Sequence, residues 1–241
     1  MGIHLFDAPY WTLEPFFGVQ NAFLRINKET ILFTWAAMFF LFLVCIACRF
    51  FFSRSVIIKN IILAFFQFFI DLTTQTLNFF SEKHCIFVLT LFIFIFTCNI
   101  LSLIPFLDEP TKDINTTLAL GLISFLYVQW VSISIHGLYK YVGDYFKPIF
   151  IMFPLNVLGK LASIMSLSVR LFGNIFGGSI ISTLYFSALQ FSVFAQILGI
   201  LTGLNFIIIA FFTLFEGFLQ AFVFTMLSLT YISLSIHDEG H

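Results

Sequence analysis

Uncharged apolar runs separated by short polar breaks set the plan of this chain. Ile31 to Cys48 carries no charge and is close to the ~20 residues a helix needs to cross a hydrocarbon core. Arg49, Arg54 and Lys59 follow at once. From Ser55 to Phe80 the pattern changes: Asn60, Gln67, Asp71, Thr74, Gln75 and Asn78 recur at helical spacing while Ile, Leu and Phe fill the other face. That spacing predicts an amphipathic helix over 55–80, at a membrane surface or against other helices. Residues 85–107 predict a second crossing. Residues 114–135 predict a third, with Asp113 as its N-cap. Residues 1–29 mix Asp7, Glu14, Arg25, Lys28 and Glu29 with Pro9, Pro15 and aromatics, and read as an interfacial arm.

The last block, Ile149 to Ile236, is the least determined by pattern. Its only charged residues are Lys160, Arg170 and Glu216, and its one clear break is the polar, small-residue cluster from Ser187 to Gln196. Two helices of roughly 35–40 residues would be ~52–60 Å long, too long to stand upright in a ~30 Å core. They would lie beyond the usual tilt range of about 0–40°. Periodicity leaves two steeply tilted helices and four short spans both open.

Composition settles the class. The hydrophobic fraction is 60% and the charged fraction 10%, against about 25% charged in soluble domains. With a mean hydropathy of +1.04, the chain reads as an all-α polytopic membrane protein forming a single membrane domain, 1–241. A net charge of −1 gives no reason to expect nucleic acid. The 38 phenylalanines suit lipid-facing packing. Cys45, Cys48, Cys85 and Cys98 all lie in apolar runs and read as small hydrophobes. No cleavable signal peptide is expected, because the first apolar run is followed by Arg49 rather than a small-residue cleavage site. Under alternate crossings Arg49, Arg54, Lys59, Lys83, Lys140 and Lys147 share one side, opposite the acidic loop Asp108–Asp113. The positive-inside rule makes the basic side cytoplasmic or matrix, with the C-terminus on it and the N-terminal arm outside.

Arg170 is the candidate that organises the chemistry. A charge at mid-membrane costs roughly 2.5–3.5 kcal/mol on insertion scales, so it calls for a partner and a task. Ser163, Ser166, Gly173, Gly177 and Gly178 share or flank its face. Such small residues permit close helix approach, within the chain or against another. A second intramembrane charge, Glu216, is a functional candidate by the same reasoning. No Gly-x-x-x-x-Gly-Lys-Ser/Thr loop occurs, so no nucleotide site is expected. His136, His237 and His241 lack metal-ligand spacing, and neither cofactor nor metal is expected.

Around Arg170 the sequence resembles subunit a of the F-type ATP synthases. The resemblance rests on Pro110-Thr-Lys-Asp-Ile-Asn-Thr-Thr117, Pro154-Leu-Asn156, Ser166-Leu-Ser-Val-Arg-Leu-Phe-Gly-Asn174 and Leu219-Gln-Ala-Phe-Val-Phe224, in the family's order and spacing. It implies two long tilted helices, 149–188 and 193–236, curving around a ring of c subunits. It also implies proton translocation through two offset half-channels, coupled to ATP synthesis, with no enzymatic site in this chain itself. Expected partners are the c ring, the peripheral-stalk b-type subunits, other ATP synthase subunits, the lipid bilayer and protons. The setting is an energy-transducing membrane, bacterial or of an organelle.

The family's arginine maps to Arg170, facing the ring carboxylate. Unit charges 4 Å apart attract by ~4 kcal/mol at an effective dielectric of 20, and arginine, unlike lysine, stays charged there. Asn174 and Gln220 map to polar positions of the proton path. The family's usual ionisable pair falls at Ser179 and Thr213, neither of which titrates. Glu216, three residues beyond Thr213 and less than one α-turn away, is the expected substitute as entry relay; the alternative is a protonated carboxyl bonded within the helix pair. Lys160 is a weaker candidate beside the exit path or a snorkelling side chain. Asp113 and Asn115 are candidates for guiding protons inward, with a plain N-cap as the alternative. The competing function is a proton-coupled secondary transporter with Arg170 in a midplane solute site. That reading predicts inverted repeats, and the chain shows no such symmetry.

Overall fold

The structure, a computed structural model, describes residues 10–12, 25–52, 54–104, 107, 109–144, 153–190 and 211–237. Much of the arm expected over 1–29, the opening of the block expected over 149–188 and residues 193–210 of the last block lie outside the described residues. Of the arm, Tyr10–Thr12 (β1) and Arg25–Asn27 (β2) pair as a short antiparallel ribbon. It feeds directly into the first helix. The rest of the described chain is helical and polytopic, as its composition implies.

The helices are α1 (Lys28–Phe52), α2 (Val56–Leu77), α3 (Glu82–Ile100), α4 (Ile114–His136), the short α5 (Leu138–Asp144), the long α6 (Phe153–Gln190) and α7 (Gly217–His237). A π-helical turn, Phe211–Glu216, leads into α7. Six helical stretches among the described residues are long and apolar enough to cross a membrane, α2 among them. The chain is an integral membrane protein.

Local chemistry explains several helix ends. Asn78, at φ 61°, closes α2 in the left-handed conformation that asparagine tolerates. Asp113 caps α4 by accepting from the Asn115 backbone N–H at 2.9 Å. Gly137, at φ 78°, turns the chain from α4 into α5, inside a stretch that polarity alone marks as a turn. Pro154 sits in the first turn of α6, where a missing N–H is harmless.

The bundle centres on α7, which packs against α3, α4 and α6. Its buried side chains Ala221, Phe224, Leu229 and Ile232 join Phe69 and Leu77 of α2, Val88, Leu91, Phe92 and Ile95 of α3, and Leu167, Leu171 and Ile175 of α6. Phenylalanine is divided between two jobs. Phe69, Phe92 and Phe224 fill this core, while Phe39, Phe42 and Phe66 stand exposed. Serines stitch α7 to its neighbours: Ser124 Oγ donates to Ser228 Oγ at 2.7 Å, and Ser233 Oγ donates to the Thr76 carbonyl at 2.8 Å.

α2 buries one narrow stripe, Phe69, Thr73 and Leu77, against the bundle. Its polar residues Asn60, Gln67, Asp71 and Gln75 are exposed, with Gln67 donating to Asp71 at 2.8 Å. α6 is one unbroken helix of 38 residues, about 57 Å at 1.5 Å per residue. For this half of the last block, one long helix stands where two short spans were also open. Its glycines do not break it. A Cβ at Gly159, Gly173 or Gly177 would meet only open space, and Ser163 and Thr183 bond back to carbonyls one turn earlier.

Candidate functional site

α6 presents two contrasting faces. Ile164, Leu167, Ser168, Leu171 and Ile175 recur at helical spacing and are buried. The opposite face carries Ser166, Val169, Arg170, Gly173 and Phe176, all exposed. Arg170 therefore lies on a bare, partly small-residue surface of α6. Among the described residues it has no hydrogen-bond or ion-pair partner.

One turn further along, Asn174 reaches across to α7, where its Nδ2 donates to Gln220 Oε1 at 2.5 Å. Gln220 is 3% exposed, and its buried Nε2 has no partner among the described residues. The pair ties the two helices beside Arg170 and leaves one Gln220 donor unused among the described residues. A buried donor without an acceptor costs about 1–3 kcal/mol, so this site would gain from a further acceptor.

Glu216 ends the π turn, four residues before Gln220. It is half-buried, and no described residue bonds or pairs with it. Thr213, in the same turn, is buried at 9% exposure. The i→i+5 bonding of a π turn is wider than an α-turn. Thr213 and Glu216 therefore diverge in direction more than their spacing on an α-helix implies. The π turn packs against both α3 and α6.

Two polar residues that sequence reading passed over close the end of the site. Asn99, in α3 and 2% exposed, donates from Nδ2 to the Gly217 carbonyl at 3.1 Å. Its Oδ1 accepts from Thr111 Oγ1, also at 3.1 Å. Thr111 was visible only as part of a motif. Asn99 is a lone amide closing a long apolar run, a signal that intramembrane polarity alone could have raised.

The remaining candidates sit apart from Arg170. Asp113 uses both carboxylate oxygens: Oδ1 caps α4 and Oδ2 accepts from Thr30 Oγ1 of α1 at 3.0 Å. Asn115 is exposed. Ser179 bonds the Phe176 carbonyl on its own helix at 2.9 Å. The Lys160 ammonium lies 4.9 Å from the centre of the Tyr141 ring. It also lines a cavity of about 170 Å³ between α4, α6 and α7, with Ser124, Gln129, Ser132 and Ser163. Cys45 and Cys48 are exposed on α1, whereas Cys85 and Cys98 are buried.

The family model for the ATP synthase A chain matches residues 31–233, a span that takes in every element just described except the ribbon and the extreme helix ends. The chain belongs to the ATP synthase A chain family. It is 35% identical over 185 residues to an ATP synthase subunit a of Moorella thermoacetica, covering 76% of this chain and 78% of that one. A sodium-ion-specific ATP synthase subunit a from Propionigenium modestum is 31% identical over 231 residues, 88% of this chain and 75% of that one. An ATP synthase subunit a from Chlorobaculum parvum is 39% identical over 154 residues, 63% of this chain and 62% of that one. Membership of this family gives the chain a role in ion transport by the membrane sector of an ATP synthase.

Proposed function

We propose that the chain conducts protons between two offset half-channels at its contact with a rotating ring of c subunits, coupling that flux to ATP synthesis. The observation that carries this reading is the placement of Arg170. It is exposed on the bare face of α6, one turn from the Asn174–Gln220 bond. A permanent cation there holds an approaching ring carboxylate ionised and blocks direct passage between the half-channels, because arginine does not release its proton. Ser166 and Gly173 on the same face allow a close-passing neighbour.

Glu216 is the relay of the entry half-channel in this scheme, taking the part that Ser179 and Thr213 cannot play. Asn174 and Gln220 hold water or steady the guanidinium, with the unpaired Gln220 Nε2 as a ready donor. Asp113 and Asn115 stand at the outer end of α4, Asp113 as its cap, and Lys160 lies towards the exit. In the assembled complex α6 and the helix ending in α7 lie steeply tilted around the ring. The peripheral-stalk b-type subunits hold the chain still, in an energy-transducing membrane with the C-terminus on its basic side.

The test is Arg170→Ala and Arg170→Lys in the reconstituted complex. The expected result is loss of proton-driven ATP synthesis with the complex still assembled. Coupled synthesis retained in Arg170→Ala would sink the proposal. Repeating the wild-type assay with a sodium gradient in place of the proton gradient identifies the ion.

A further inference from the structure

The π turn that carries Glu216 is held from outside its own helix. Its last residue is followed by Gly217, whose carbonyl accepts the Asn99 amide at 3.1 Å, while the other end of that amide is held by Thr111 at 3.1 Å. All three residues are buried. A side chain on Gly217 would not fit: its Cβ would lie 2.9 Å from Asn99 Cβ. The glycine is thus what lets the two helices come close enough for amide to meet carbonyl. The next residue, Phe218, is packed edge-on by Phe92 and Phe96 of α3, with ring centroids at 5.7 and 5.9 Å.

An asparagine at 2% exposure is an expensive way to fill space in a membrane helix. A leucine, larger but branched in the same way, needs no partners, whereas a buried amide must be bonded at both ends. Asn99 is bonded at both ends, and its donor falls on the join between π and α geometry. Isolated π turns inside α-helices are rare and concentrate at functional sites. Were this one to relax to α geometry, the direction of Glu216 relative to Gly217 would rotate.

We propose that Asn99 is a positioning residue: with Thr111 it clamps the Gly217 carbonyl, fixes the π turn, and so sets where the Glu216 side chain points. The functional consequence rests on Glu216 acting as the entry relay, but the clamp itself can be tested separately.

For the clamp, Cys45, Cys48, Cys85 and Cys98 are replaced by Ser, Glu216→Cys is introduced, and the complex is reconstituted in liposomes. The alkylation rate of that thiol by a water-soluble maleimide is then read with and without Asn99→Leu. The expected change is several-fold, with a smaller change of the same sign for Thr111→Val, the milder variant should Asn99→Leu fail to assemble. Equal rates in all assembled variants would overturn the proposal.

For the consequence, Asn99→Leu in the otherwise native complex is expected to lower ATP-driven proton pumping about fivefold, the effect of one lost hydrogen bond, and to displace its pH profile. In a Glu216→Gln background Asn99→Leu should add nothing. A full additional loss there would overturn positioning in favour of a merely structural role. Normal pumping by Glu216→Gln alone would refute the relay, and the alkylation result would still decide the clamp.

Discussion

Asn174 and Gln220 are hydrogen-bonded across α6 and α7 at 2.5 Å, although 46 residues separate them in the chain. The bond fixes the rotational setting of the two helices beside Arg170. Because each residue answers the other, their replacements should not add. Asn174→Leu and Gln220→Leu are each expected to slow proton-driven ATP synthesis about three- to tenfold, as for one net hydrogen bond. The double variant should be no slower than the worse single one, apart from a few tenths of a kcal/mol. Reconstituted vesicles with an imposed proton gradient provide the measurement.

Glu216 has no described partner, so its removal should not unfold the site. Glu216→Gln keeps the shape and removes the charge. It is expected to leave assembly of the complex normal and to abolish most proton-driven synthesis, with Glu216→Asp retaining more than Glu216→Gln. Near-normal synthesis by Glu216→Gln would remove this residue from the path.

Gly121 of α4 faces Ser168 of α6 so closely that a Cβ there would lie 2.1 Å from Ser168 Oγ. That hydroxyl is fully buried and has no partner among the described residues. Gly121→Ala should therefore overpack the crossing, at about 1–3 kcal/mol, and lower the amount of assembled protein in membranes. Ser168→Ala removes the obstructing atom and costs little, since no bond is lost. The double variant Gly121→Ala/Ser168→Ala should recover most of the level. Quantitative immunoblotting of the assembled complex distinguishes recovery from a second additive loss.

Asp113 spends one oxygen on the α4 cap and the other on Thr30. Asp113→Asn keeps a good cap, while Asp113→Ala loses it at about 1 kcal/mol. Proton flux per assembled complex should be unchanged in Asp113→Asn, and the yield of complex should fall in Asp113→Ala. Slowed flux in Asp113→Asn would instead make the carboxylate a working part of the entry mouth.

How much of this was legible in the chain varies by residue. Arg170 and Glu216 stand out at once, since charge in a long apolar run is costly wherever the run folds. Asp113 as an N-cap was equally readable, because capping is decided within a few residues. Asn99 was not picked out, nor was the importance of Ser124 and Ser228. A lone amide or serine in an apolar run is compatible with many environments until its partner, more than a hundred residues away, is known.

Membrane class, the positions of the apolar helices and the candidate charges follow from the sequence itself, because hydrophobic transfer and local capping are properties of short stretches. Tertiary structure alone decided that the chain adopts a π turn at Phe211–Glu216. It also decided that Asn174 meets Gln220 and that Asn99 meets Gly217. These depend on which helix faces lie against each other. Apolar helices look alike from the chain, and only packing singles out the few polar groups that must find one another.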